Sequence, residues 1–149
     1  MKGLLLCLCL CLSAAAPAQV RYNWKRAIAP AALSLAAGAT WGTHETLMHK
    51  NALFFKAFPG ASRRFWGADS WRNKYTGGDP LKGRNGKPVW FSDGKHLTAS
   101  VHHTLIFAAG VTVTIGEKRP TWHYLADAGF SFGAYSVGNW MAREVVFGW

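Results

Sequence analysis

This chain of 149 residues has only three cysteines, and all three lie within the first eleven positions. That stretch is typical of a secretory signal, with Lys2 ahead of an apolar core and a small-residue cleavage site at residues 16–18. We therefore predict a cleaved signal peptide at residues 1–18 and a single helical membrane domain at residues 19–149. Such a mature domain has no thiol for a disulfide, a nucleophile or a Cys-ligated zinc.

Acidic residues are also scarce, with seven Asp and Glu against seventeen Lys and Arg and a formal net charge of +10. A protein this basic needs an acidic partner, and anionic lipid head groups and nucleic acid are the usual ones. Because an exported protein meets lipid first, we expect anionic membrane lipid as the partner, together with another membrane protein as a possibility. Nucleic acid is the less expected partner.

Strongly apolar runs are missing, but three moderately apolar segments are each long enough to cross a bilayer, at about residues 27–48, 97–115 and 121–147. Polar side chains inside these segments weaken the membrane prediction unless they face one another within a bundle. We predict an all-α fold, a small bundle of about three transmembrane helices. A soluble helical protein of the periplasm is the alternative.

Glycines inside the segments support the bundle, because small residues let helix backbones approach closely. They are Gly110, Gly129, Gly133 and Gly138, and Gly129 and Gly133 have the Gly-x-x-x-Gly spacing of a helix-pairing face.

Basic and aromatic residues concentrate between the first two segments, in a loop at about residues 50–92. From Lys50 to Lys95 the chain contains ten of the seventeen basic residues and only three aspartates. Aromatic rings favour the head-group zone, and basic loops favour the cytoplasmic side. We expect this long interfacial loop on the inner face of a bacterial inner membrane, with the protein exported by its signal peptide. The basic residues just before the first segment oppose this topology.

Asp93 and His96 are the strongest candidates for chemistry. Three residues apart at the start of a helix, they share one face, and a carboxylate beside an imidazole can orient it as a general base or a metal ligand. A plain helix N-cap at Asp93 is the alternative interpretation.

Two further groups of residues complete the predicted site on the inner face. Glu45 and His49 are four apart on one helix face, so they can pair with each other or, together with His96, bind a divalent metal. The two histidines His44 and His49 do not match the zinc-protease spacing. Because they are five residues apart, they cannot chelate one ion from the same helix. Glu144 is the candidate second acid, and Arg143 beside it can hold a negatively charged substrate. His123 and Asp127 also have ligand-compatible spacing, but we expect them near the opposite membrane face.

The loop sequence Ser70 to Tyr75, the Gly78 to Pro80 turn and the helix start from Asp93 to Leu97 resemble a group of small, uncharacterised bacterial membrane proteins. Their recurrent pieces are similar to Ser-Trp-Arg-Asn-Lys-Tyr, Gly-Asp-Pro and Asp-Gly-x-His-Leu. Arg72 and Lys74 within the first piece can hold phosphate. The resemblance implies a membrane location and no established activity.

The chain also resembles VanZ-like and YfiM-like membrane proteins, which begin a helix with Asp-Lys-x-x-His and carry an acid in a later helix. Here Asp93 and His96 are three apart and not four, Lys95 is displaced, and Glu144 would stand for the later acid. The resemblance implies no function.

A small polar-lined helical bundle suits two functions, which we hold as hypotheses. One is a membrane hydrolase or metalloenzyme acting on a lipid or phosphate group; the other is a non-catalytic envelope component that binds anionic lipid or a partner membrane protein.

Overall fold

The computed structural model describes residues 21–149, so the predicted signal peptide and its cleavage site lie outside the described residues. Within that range the protein is built from helices and contains no β-strand, which confirms the all-α prediction. The helices are α1 (Lys25–His49), α2 (Asn51–Ala57), α3 (Arg63–Trp66), α4 (Gly94–Thr114) and α5 (Thr121–Trp140). A π-helical turn, Met141–Val146, extends α5.

The long helix α1 lies at the centre of a three-helix bundle and packs against both α4 and α5, which barely touch each other. His44 and His102 show that α4 runs antiparallel to α1, because His44 bonds the carbonyl of Lys95 and His102 bonds the carbonyl of Ala37. Helix α5 runs parallel to α1. The bundle therefore has a loop end, where residues 50–93 lie, and a hairpin end, where α4 turns into α5.

Glycine makes the contact between α1 and α5. A Cβ added at Gly38 would overlap the backbone carbonyl of Tyr135, and one added at Gly138 would overlap the carbonyl of Leu35. One turn further, a Cβ on Gly42 would lie 2.8 Å from Cβ of Ala142. Small residues four apart on both helices therefore let the two backbones touch.

Three of the four glycines expected to mediate helix packing do not do so. Gly110, Gly129 and Gly133 have open space where a side chain would stand, and only Gly138 lies at a close approach. The Gly-x-x-x-Gly spacing at residues 129 and 133 is therefore not a packing face within this chain. Its glycines lie on the side of α5 that faces away from α1.

The predicted interfacial loop is an ordered structure. Four short 3₁₀ turns follow α3, and an isolated bridge pairs Tyr75 with Arg84. Asn73 connects its parts, since its side-chain amide donates to the carbonyls of Arg64, at 2.6 Å, and Ser92, at 3.1 Å. These hydrogen bonds connect the middle of the loop to its earlier part at Arg64 and to its end at Ser92, which directly precedes Asp93.

Aromatic packing closes the loop end of the bundle. Leu47, Phe54, Ala142 and Phe147 form a buried cluster, and the ring of Trp66 stacks on Phe54 at 5.2 Å between centroids. The same Trp66 ring covers the backbone of Gly94, where a Cβ would overlap it. The start of α4 is thereby fixed against α1 and α5 through one aromatic side chain.

Among the described residues, one helix is long and apolar enough to cross a membrane by length and composition, and it is α4. Helices α1 and α5 have comparable length but do not meet the same criterion. The three transmembrane helices expected from the sequence therefore stay a prediction.

Candidate active site

Asp93 is a fully buried carboxylate at the loop end, and it makes two kinds of contact. Its Oδ1 accepts the backbone N–H groups of Lys95 and His96, each at 3.1 Å, so it caps α4 as an N-cap residue. Its Oδ2 lies 2.7 Å from Nδ1 of His96 and also accepts from the hydroxyl of Ser92 at 2.9 Å. The cap and the carboxylate–imidazole pair, alternatives in the sequence, are both present.

The pairing fixes the tautomer of His96. A carboxylate only accepts hydrogen bonds, so Nδ1 of the imidazole carries the proton and the neutral ring presents its lone pair at Nε2. Nothing within residues 21–149 hydrogen-bonds that Nε2, and about a third of the side chain is exposed. The ring is therefore oriented by Asp93 and chemically open on its other side.

A cavity of about 320 Å³ lies beside His96. Its lining comes from α1, α4 and the loop: His44, Met48, Trp71, Lys95, His96 and Ala99. Most of this lining is apolar, and its polar residues are His44, Lys95 and His96. Lys95 also donates to the carbonyl of Ala68 at 3.0 Å, which holds its chain beside the loop.

His44 resembles His96 in how it is held. Its Nδ1 donates to the carbonyl of Lys95 at 3.0 Å and lies 3.2 Å from the hydroxyl of Thr98. Trp41 packs between the rings of His44 and His102, with centroids 5.0 and 4.8 Å away. This stack positions His44 at the edge of the cavity.

Arg72 and Lys74, the predicted anion-binding residues of the loop, both lie near the ring of Trp71. The guanidinium carbon of Arg72 is 5.4 Å from the centre of the indole, and the ammonium of Lys74 is 5.9 Å from it. Trp71 lines the cavity, whereas Arg72 and Lys74 are not among its lining residues. Their role in binding a substrate anion stays a prediction.

The remaining predicted site residues do not join this cavity. Glu144 is exposed on the π-helical turn, and Arg143 stacks on Trp149, 3.8 Å from the ring centre. Glu45 and His49 form their own pair, 4.0 Å apart. The structure therefore does not bring Glu144, Arg143, Glu45 and His49 together with Asp93 and His96 at this cavity.

A metal site built from His96, Glu45 and His49 does not form in the part of the chain that the structure describes. There, no group of three or more His, Cys, Asp or Glu side chains is arranged to hold a metal ion. His96 is engaged by Asp93, whereas His49 is largely exposed and faces Glu45.

The hairpin end contains a second buried carboxylate, Asp127. The hydroxyl of Tyr22 donates to its Oδ1 at 2.5 Å, and the guanidinium of Arg119 donates to its Oδ2 at 2.7 Å. The carboxylate raises the pKa of Arg119 further above its ordinary value, and burial with the Asp127 contact raises the pKa of Tyr22 to about 12. His123 is buried nearby, its ring 5.3 Å from that of Tyr22. Asp127 therefore fastens the start of the described chain to the hairpin.

Sequence reasoning did not place the other cavity residues at the site. They are His44, Met48, Trp71, Lys95 and Ala99. One signal was available, because His44 and Met48 are four apart and share a face of α1. Nothing in the sequence indicates that this face meets the first turn of α4, since that depends on how the loop folds.

No family model matches the chain, and neither a curated protein nor a solved structure is significantly similar to it. The functional argument therefore rests on geometry and chemistry.

Proposed function

We propose that this protein is a membrane hydrolase whose Asp93–His96 pair acts by acid–base catalysis on an ester or phosphate group of an anionic, lipid-like substrate. The observation that carries the proposal is the 2.7 Å contact from Asp93 Oδ2 to His96 Nδ1, in a histidine that lines a cavity. A buried carboxylate that orients an accessible imidazole is a recurrent arrangement for a general base.

The distribution of side chains supports a membrane location. Large apolar side chains point outward, among them Phe132, Phe107 and Leu125 with 74%, 73% and 68% of their surface exposed. Buried positions instead hold polar groups such as Asp93 and Asp127, with 0% and 1% exposed. In water this pattern leaves large apolar patches unpaired, whereas in lipid it is favourable because polar groups face the bundle interior.

Tryptophan spacing on α5 supports the same location. Trp122 and Trp140 stand near its two ends, each more than half exposed. At about 1.5 Å per residue they are about 27 Å apart along the axis, close to the thickness of a bilayer's hydrocarbon core. Tryptophan is enriched at both membrane interfaces, so α5 has the form of a spanning helix despite Asp127. We propose that α1, α4 and α5 all span the inner membrane.

The chemistry follows from the groups that line the cavity. Nε2 of His96 takes a proton from water, and the resulting hydroxide adds to the carbonyl carbon or the phosphorus of the substrate. The bond to the leaving oxygen then breaks, and His96 returns the proton to that oxygen. Lys95, with Arg72 and Lys74 around Trp71, stabilises negative charge on the substrate. The apolar lining suits a lipid-like group more than a fully hydrated ion.

A second candidate function is non-catalytic binding of anionic lipid. The observation that favours it is the stacking of Arg72 and Lys74 on Trp71, which presents two cations beside an aromatic ring of the interfacial type. In that case Asp93 serves only as the helix cap.

The test is a hydrolysis assay with the full chain purified in mild detergent. Phosphatidylglycerol and phosphatidylcholine micelles are incubated with the protein, and released fatty acid and phosphate are measured. His96→Gln should lower the rate by about 10²–10⁴-fold, the usual contribution of a general base. His103→Gln, an exposed histidine of the same helix, is the matched control and should leave it unchanged. Equal rates in these two variants would refute the catalytic role, and binding without turnover in the native chain would favour the second function.

A further inference from the structure

We propose that an open apolar groove at the loop end, separate from the His96 cavity, binds one acyl chain of an anionic membrane lipid. The groove has a volume of about 950 Å³. Ligand sites commonly reach about 300–1,000 Å³, so this groove is large enough for a long flexible chain.

Three parts of the fold form most of the groove walls, and Thr98 of α4 completes them. Helix α1 contributes one face, the end of α5 with its π-helical turn contributes another, and residues 54–66 form the third. Phe54, Phe58 and Trp66 supply aromatic surface, and Pro59, Gly60 and Ala61 form a lip. Each wall is an element that the bundle already fixes, so the groove exists before any ligand binds.

The polar atoms of the groove are already occupied. The hydroxyls of Thr40, Thr43 and Thr98 donate to the carbonyls of Ala36, Ala39 and Gly94 in their own helices, at 2.7, 3.0 and 2.9 Å. A ligand in the groove therefore finds no hydroxyl seeking a hydrogen-bond partner, which favours a hydrocarbon chain over a polar molecule.

Charge next to the groove identifies the lipid class. Lys56, Arg63 and Arg64 belong to the segment that forms the third wall, all three are exposed, and residues 50–66 contain no Asp or Glu. Arg63 lies over the ring of Phe55, 4.6 Å from its centre, in the same segment as the lip. An acyl chain in the groove would bring its head group to this cationic rim, so an anionic head group is favoured.

This site is distinct from the proposed catalytic cavity. Thr98 of α4 lines the groove, whereas His44 of α1 lines the cavity. These two side chains contact each other, so the packing of α1 against α4 separates the groove from the cavity. The inference rests on the proposed membrane location but not on catalysis by His96. Lipid retained by a chain that does not hydrolyse it would support the groove and not the catalytic site. Hydrolysis by a chain that retains no lipid would support the catalytic site and not the groove.

The experiment measures phosphatidylglycerol retained per chain after purification of the full chain from membranes in mild detergent, by lipid extraction and mass spectrometry. Ala57→Phe and Ala61→Phe fill the groove, and Ala52→Phe on the exposed face of α2 is the matched control. We expect the filled variants to retain about tenfold less lipid, because excluding two CH₂ groups costs about that factor. Equal retention in filled and control variants would overturn the proposal.

A second measurement covers the case in which the filled variants do not fold. Arg63→Gln with Arg64→Gln should weaken retention of phosphatidylglycerol by about thirtyfold, since each basic residue near an anionic surface adds a factor of about five. Lys82→Gln with Arg84→Gln, exposed elsewhere in the loop, is the control and should change it little. Equal retention of phosphatidylglycerol and phosphatidylcholine would overturn the assignment to an anionic lipid. A lipid-free native chain that dimerises through this face would assign the groove to a second copy instead.

Discussion

Gly38 of α1 and Gly138 of α5 lie where the two helix backbones touch, and neither position has room for a Cβ. The two helices run parallel through this contact. Toward the loop end the same pair of helices brings Ala142 and Phe147 against Leu47 and Phe54. The position of the groove walls therefore depends on glycine at both residue 38 and residue 138.

Substitution at this contact should be costly. We expect Gly138→Ala to lower the free energy of unfolding by about 1–3 kcal/mol, the usual cost of overpacking, because the new Cβ overlaps the carbonyl of Leu35. Gly133→Ala has open space and should raise it by about 0.5–1 kcal/mol through helix propensity. Denaturant titration in detergent, followed by circular dichroism, measures both. Equal effects would contradict the close approach.

The Tyr22–Asp127 contact predicts a pH dependence of stability. The pKa of Tyr22 is about 12 in the folded protein and 10.0 in the reference state. Burial of the Tyr22 hydroxyl and its contact with Asp127 both disfavour the phenolate in the folded protein. The neutral hydroxyl therefore contributes stability below pH 10 that is lost as the pH rises toward 12. Stability measured from pH 9 to pH 12 should fall less steeply in Tyr22→Phe than in the native chain. Parallel curves would refute the coupling.

Arg143 should act in packing and not in substrate binding. Its guanidinium lies 3.8 Å from the Trp149 ring centre, and the indole N–H of Trp149 donates to the hydroxyl of Thr46 at 2.8 Å. Arg143→Ala should lower the unfolding free energy by about 0.5–2 kcal/mol, as for a lost cation–π contact, and leave substrate KM unchanged. Arg84→Ala, on the exposed loop, is the control for removing a positive charge. A raised KM with unchanged stability would restore the role predicted from sequence.

Asn73 should keep the loop folded. Asn73→Ala removes the donor to the carbonyls of Arg64 and Ser92, so residues 62–92 should become sensitive to protease while the helices stay resistant. Limited proteolysis with mass mapping measures this. Asn23→Ala, which removes a local bond at the other end of the bundle, should not change the cleavage pattern. Unchanged cleavage of Asn73→Ala would show that the other contacts of the loop hold it without this side chain.

Much of the helical layout was predictable from the sequence. The expected segments 27–48 and 97–115 correspond to α1 (Lys25–His49) and α4 (Gly94–Thr114), because apolar composition and flanking charges mark helix ends well. The Asp93–His96 contact was also predictable, since a three-residue step at a helix start is a local property.

The assembly of the site was not predictable. Glu144 lies on a π-helical turn, where the N–H of Phe147 bonds the carbonyl of Ala142 five residues back, and that changes which face each side chain occupies. The cavity beside His96 depends on Trp71, whose position follows from hydrogen bonds across the loop. Such contacts between distant residues leave no periodic signal in a single sequence.

Asp93→Asn tests the central claim most directly, because it separates the helix cap from the orientation of His96. The amide oxygen can still accept from Lys95 and His96, so the unfolding free energy should change little, as Asn and Asp are comparable N-caps. The amide nitrogen cannot accept from Nδ1 of His96, so the hydrolysis rate should fall by about 10–100-fold, as when an orienting partner is removed. The measurement is kcat for phosphatidylglycerol hydrolysis beside the unfolding curve. An unchanged kcat would show that Asp93 only caps α4 and would contradict the account.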